Sequence, residues 1–175
     1  ENAFNCVFNE IRQVALIVNK STGMPVYVDY SLSPWMDDSV VELYDIFGFK
    51  LLDPGALYFT WILNKLIALY SDRTLRTGFN EVMLPYAEDR ILLEYGAKGL
   101  IKARDFLLYA STCVAGIDMI VVPEDKVKLS HLISSGMTLS RVKSRPMSLR
   151  AITVQSKPGD LVKLGKFGSV PVIPY

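Results

Sequence analysis

The sequence predicts an α/β fold in which parallel strands alternate with helices. Stretches of helical apolar period take turns with short runs rich in Val, Ile and Tyr. One or two helices separate successive runs, the spacing of crossover connections rather than hairpins. The run "MIVVP" (119–123) is apolar on both faces, as a strand covered on both sides must be.

Each element follows from local chemistry. Phe4, Val7, Phe8, Ile11, Val14, Ala15 and Val18 recur at helical spacing, so a helix is expected over 3–20, ended by "STG". "MPVYVDYSL" (24–32) reads as a first strand, and "SPWMDD" as a loop. Ser39 and Glu42 have capping-box spacing ahead of a helix over 40–47, which Gly48 ends. Asp53 and Pro54 suit the cap and first position of a helix to residue 70. "TGFNEVMLP" (77–85) is the second strand. Pro85 opens a helix to residue 97, and "KARDFLLYAST" another ending near Cys113. "GIDMIVVP" is the third strand, and Asp125 caps a helix over 128–139. "MSLRAITVQ" is the fourth strand, "KPGD" a turn, and "FGSVPVIPY" an extended tail. Pro171 and Pro174 restrict that tail to an edge or coil.

The chain has 175 residues, of which 50% are hydrophobic, enough for one domain with a core. Its net charge of +1 gives no pull toward nucleic acid or an anionic membrane. The most apolar stretch, "LLDPGALYFTWILNKLIALY", is broken by Asp53-Pro54 and Asn64-Lys65. A buried helix accounts for it better than a span of about 20 apolar residues does. Cys6 and Cys113 are unpatterned and His131 stands alone, which argues against a zinc site built within the chain. A cytoplasmic location is the expectation. The first residue is Glu1 rather than Met, and a longer polypeptide is expected around this chain.

In parallel α/β folds sites gather beyond the carboxyl ends of strands, so acids there carry the most information. Asp29 and Ser31 follow the first strand; Glu88 and Asp89 follow the second; Glu124 and Asp125 follow the third. Helix capping explains Asp125 without any ligand. Asp29 lies where a cap is less natural. Cys113 near a helix carboxyl end has no reason for a lowered thiol pKa, so an inert buried thiol is favoured. Asp118 opens the third strand at the end away from a site, where bonds to loop backbone are expected. Arg150, within the fourth strand, suits a carboxylate or phosphate, a buried acid being the simpler partner. Arg141 and Arg145 precede that strand. There is no Gly-rich phosphate loop of Walker or Rossmann type.

The segments "VDYSLSPW", "DPGAL", "RTGFNEVMLPYAEDR", "STCVAGIDMIVVPED" and "SLRAITVQSKPGD" resemble, in order, one uncharacterised family's carboxyl-terminal half. That family is domain of unknown function seven-one-one, and the resemblance covers residues 26–160. It implies half of a pyruvate formate-lyase-like α/β barrel, as in glycyl-radical enzymes, and a longer protein of which this is the second half. It implies no activity. Cys113 falls on the family's cysteine motif, a relic of the position that carries the thiyl radical in the radical enzymes. Those enzymes carry an Arg-Val-x-Gly-Tyr motif near the carboxyl terminus; here the tail reads "GKFGSVPVIPY", so radical chemistry is not expected. Within the family pattern, "VPED" replaces "IPGD" and "VAGID" replaces "GTGLD", so Ala115 and Glu124 alter either a site or a turn.

Two functions of different class remain. The first is an enzyme, or a degenerate one, with an acidic barrel-centre pocket. Cys113, Glu88 and Asp89 would be its catalytic groups, and Asp29, Ser31, Asp118 and Arg150 would hold substrate. Such an oxygen-rich pocket suits a small polar metabolite or a divalent cation, Mg²⁺ or Ca²⁺. The second is a non-catalytic metabolite-binding or regulatory subunit of an assembly. Convergent acids favour the first, and acids dispersed over separate helix caps the second. The expected partner is the amino-terminal half or a companion subunit, with homo-oligomerisation and no nucleic acid or membrane.

Overall fold

The computed structural model describes residues 2–113 and 116–175. Ala115 therefore lies outside the described residues. Helix α1 (Asn2–Thr22) turns Phe8 and Ala15 inward. Next come α2 (Val41–Ile46), α3 (Ala56–Tyr70), a 3-10 turn (Tyr86–Glu88), α4 (Arg90–Ala97) and α5 (Asp105–Ala110). Strand β1 (Ile117–Pro123), helix α6 (Lys126–Val142) and strand β2 (Leu149–Val154) form a crossover unit. The chain ends with β3 (Leu161–Lys163), a 3-10 turn (Gly165–Phe167) and β4 (Ser169–Pro171).

β1 and β2 pair in parallel, Ile117 opposite Leu149 and Ile120 opposite Ala151. Asp118 and Met119 thus face the single residue Arg150, a bulge that Met119 completes with φ of 51°. Isolated parallel bridges extend the arrangement: Val28 with Arg76, Leu32 with Val82, Met36 with Asp89, and Pro85 with Asp118. The tail passes along β1, where the Ile173 amide donates to the Val121 carbonyl at 2.9 Å. The fold is thus mixed helix and strand with a small parallel sheet, and the described strands do not close into a barrel. The core is continuous through Tyr44, Leu63, Tyr86, Leu92, Phe106, Ile117, Ile120 and Ile173. Tyr86 anchors the tail to it, its hydroxyl donating to the Pro171 carbonyl at 2.8 Å.

Several elements depart from expectation for identifiable reasons. The runs 24–32 and 77–85 make single bridges rather than strands. Gly78 (φ 70°) and Asn80 (φ 55°) break the extended backbone of the second run, and the Asp29 side chain ties the first run to that break. Asp53 does not cap α3: Gly55, with φ of 99°, occupies that position. Pro85 opens a 3-10 turn, and α4 begins five residues later behind Asp89. The capping box does not form: Val40 holds the cap position of α2, the Ser39 hydroxyl accepts from the Val41 amide, and Glu42 pairs with Arg90 (3.1 Å). Residues 161–163, where no strand was expected, form β3 and pair antiparallel with β4, which lies inside the expected extended tail. Asp125 caps α6 with both expected bonds, to the Val127 and Lys128 amides.

Candidate functional site

Asp29 accepts from the Ser31 amide (3.0 Å) and hydroxyl (2.6 Å), and from the Phe79 (3.0 Å) and Asn80 (2.9 Å) amides. Partial burial pushes this carboxyl up. The Ser31 hydroxyl and the three amides outweigh burial and hold it below the ordinary aspartate value. The knot fixes loop 77–80. Its closeness explains Gly78, where a Cβ would lie 2.0 Å from an Asp29 carboxylate oxygen.

Asp89 is fully buried and takes four donors: the Ser39 hydroxyl (2.7 Å) and the Val40 (3.0 Å), Ile91 (2.9 Å) and Leu92 (3.2 Å) amides. It caps α4 and holds the start of α2 against it. Glu88, its chain neighbour, faces elsewhere, 3.7 Å from the Arg150 guanidinium. Asp118 meets that same guanidinium through two bonds, one of them 2.7 Å long, instead of the loop backbone. The bulge aims it there, and the bonds to Asp118 outweigh the opposing effect of burial and raise the guanidinium's affinity for its proton.

Cys113 is buried, and its thiol donates to the Val82 carbonyl at 2.7 Å. Asn64 accepts from the Val82 amide (2.7 Å) and donates to the Thr112 carbonyl (2.8 Å). Leu32 pairs the other edge of this segment, so a thiol and an amide occupy the edge where a further strand would bond. Lys143 caps the carboxyl end of α5, donating to the Ala110 (2.6 Å) and Cys113 (2.5 Å) carbonyls. Burial lowers its pKa, while Cys113 and Glu81 oppose that and Arg145 adds to it.

Beside this junction lies a cleft of about 260 Å³ between α3 and segment 76–81. Trp61, Asn64, Lys65, Arg76, Phe79 and Arg145 line it, with Glu81 and Thr112. Arg145 pairs with Glu81 at 2.7 Å. Arg76 is held by the Ser71 hydroxyl (2.7 Å) and the Ala68 carbonyl (2.5 Å), at the carboxyl end of α3. The Lys65 ammonium sits 5.3 Å above the Trp61 ring. The cleft is therefore cationic with aromatic walls.

The structure brings together Asp29 with Ser31, and Glu88 with Asp118 and Arg150. It gives Asp89 and Cys113 partner sets of their own. Among the described residues no three His, Cys, Asp or Glu side chains are gathered to hold a metal ion. Trp61, Lys65, Arg76 and Lys143 were not singled out by sequence reasoning. The available signal was Asn64-Lys65, two polar residues inside an apolar helix, legible as a break in a hydrophobic run and equally as the polar floor of a cleft.

These features define an α/β protein with a small parallel sheet and a cationic cleft between α3 and segment 76–81. The chain belongs to the family described as "Uncharacterised ACR (DUF711)", whose model matches residues 5–165. It is similar to a UPF0210 protein of Pyrobaculum aerophilum, 28% identical over 173 residues, 89% of this chain and 37% of that one. A UPF0210 protein of Sulfurisphaera tokodaii is 31% identical over 149 residues, 79% of this chain and 33% of its own. One from Lacticaseibacillus paracasei is 27% identical over 157 residues, with 83% and 35% covered. The chain thus spans about a third of the length of these curated relatives. No solved structure matches it. Among the described residues no helix is long and apolar enough to cross a membrane.

Proposed function

We propose that this chain is the metabolite-binding part of a larger, non-catalytic α/β protein with a pyruvate formate-lyase-like scaffold and no glycyl radical. One observation carries the reading: the carboxylates best placed for chemistry are already spent. Asp89 has four donors, Asp29 four, and Asp118 a guanidinium. A catalytic acid or metal ligand needs an oxygen free to meet substrate. The cleft beside Cys113 offers cations instead, which suits an anionic metabolite. The proposed partner is the amino-terminal half of the longer polypeptide, set against the apolar outer face of α1, where Val14 and Ile17 are exposed.

The test is a thermal-shift screen of the purified protein with anionic metabolites, amines, polyols, Mg²⁺ and Ca²⁺, followed by mass spectrometry for turnover. Stabilisation by an anion without product is expected. Turnover, or stabilisation by the divalent cations alone, would restore the catalytic reading with its acidic pocket.

A further inference from the structure

We infer that the cleft between α3 and segment 76–81 is a site for a phosphate monoester of a planar aromatic group. The inference rests on the metabolite-binding reading and specifies its ligand.

Charge is the first ground. Lys65, Arg76 and Arg145 stand against the single carboxylate Glu81 among the lining groups, leaving the cleft two positive charges. A phosphate monoester carries close to two negative charges at neutral pH. The arginines are also held in place before any ligand arrives. Arg76 is pinned to the end of α3 by two bonds that use two of its five donors, and Arg145 is docked on Glu81. Such fixed forks suit phosphate oxygens better than mobile lysines do.

The walls supply the second ground. Trp61 is 44% exposed and Phe79 38%, and both line the cleft. Large aromatic faces left open beside three cations are matched by a ligand with both a ring and an anion. Lys65 currently lies over Trp61 at 5.3 Å, where a ring would stack. A ring entering there displaces the ammonium, and its four-carbon stem lets it turn onto the phosphate. Ligand and lysine thus exchange places on the indole.

Size and support complete the case. About 260 Å³ falls just below the ~300–1,000 Å³ of drug-sized sites, so one ring system and one phosphate fill it. The Asp29 knot holds Phe79 and Asn80 in position, and Asn64 ties α3 to Thr112 across the floor. The cleft is thus braced on both sides by bonds that no ligand needs to form.

The experiment uses the full chain carrying Trp35→Phe, which leaves Trp61 as the sole tryptophan of the two. Phenyl phosphate, inorganic phosphate and benzyl alcohol are titrated, with indole fluorescence and calorimetry as readouts. Phenyl phosphate should change Trp61 emission saturably and bind about tenfold or more tighter than inorganic phosphate, the scale of one aromatic stack. Lys65→Met and Arg145→Gln should each weaken it about tenfold or more. Arg145→Gln removes an ion-pair partner of the buried Glu81, so Lys65→Met is the variant read if that protein melts. Trp61→Leu should erase the preference over inorganic phosphate while leaving phosphate binding intact. Equal affinity for the two phosphates, or binding that ignores Trp61 and Lys65, overturns the inference. If phenyl phosphate fails while another metabolite binds, the inference falls and the metabolite-binding reading stands. If no metabolite binds, both fall.

Discussion

Replacing Asp89 separates a structural carboxylate from a catalytic one. In Asp89→Ala, four donors lose their acceptor: the Ser39 hydroxyl and the Val40, Ile91 and Leu92 amides. Loss of the α4 cap costs about 0.5–2 kcal/mol. A buried donor left unsatisfied costs about 1–3 kcal/mol, and Ser39 and Val40 are both buried. The Ser39 hydroxyl can turn elsewhere and some water will enter, so a net loss of about 3–5 kcal/mol is expected. Asp89→Asn keeps one carbonyl oxygen but sets an amide N–H against a donor, so about 2 kcal/mol is expected from the single mismatched bond. Urea denaturation followed by circular dichroism measures both. With a slope of ~2–3 kcal/mol/M, the alanine variant should lose roughly 1–2 M in its midpoint. A midpoint unchanged within about 0.3 M, together with lost binding or turnover, would refute the capping role. It would return Asp89 to the catalytic groups.

Asp72 gives the pH prediction. The Thr74 hydroxyl and amide and the Arg12 guanidinium hold its carboxyl at about 2, below the ordinary 3.8. A depressed folded value means the native state binds fewer protons. Its contribution is therefore complete above about pH 4 and lost as pH falls toward 2. Asp72→Asn should flatten that part of the stability profile, and an unchanged slope between pH 4 and 2 would contradict the assignment. Cys113, buried and donating to Val82, should react with iodoacetamide far more slowly than exposed Cys6 in the native protein. Peptide mapping that finds Cys113 labelled first would overturn this. The chain alone should associate, since Val14, Ile17, Phe47 and Leu69 expose apolar surface on α1, on the turn after α2 and on α3. Light scattering that finds a cooperatively unfolding monomer would remove the proposed partner. An anaerobically activated sample should show no glycyl-radical doublet in EPR, and its appearance would reverse the non-radical reading.

The sequence by itself determined what depends on neighbours along the chain. The period of Phe4, Phe8, Ile11 and Ala15 placed α1. Asp125, one residue ahead of α6, was legible as its cap because the bonds it makes are two and three residues away. The doubly apolar run at 119–123 was legible as a covered strand, and five motifs in order pointed to the family that the comparison shows. What only the tertiary structure decided is where each polar side chain ends. Asp29 and Asp89 look alike in sequence, each just after an apolar run. One closes a loop fifty residues away and the other joins two helices, because the spatial neighbours that compete for a carboxylate are set by chain crossing. The same holds for the runs at 24–32 and 77–85. Their composition favours strands, yet the left-handed Gly78 and Asn80 and the Asp29 knot override it. The cleft belongs to this second class. Arg145 lies far along the sequence from Lys65 and Arg76, and folding α3 against segment 76–81 creates both the charge they share and the aromatic walls between them.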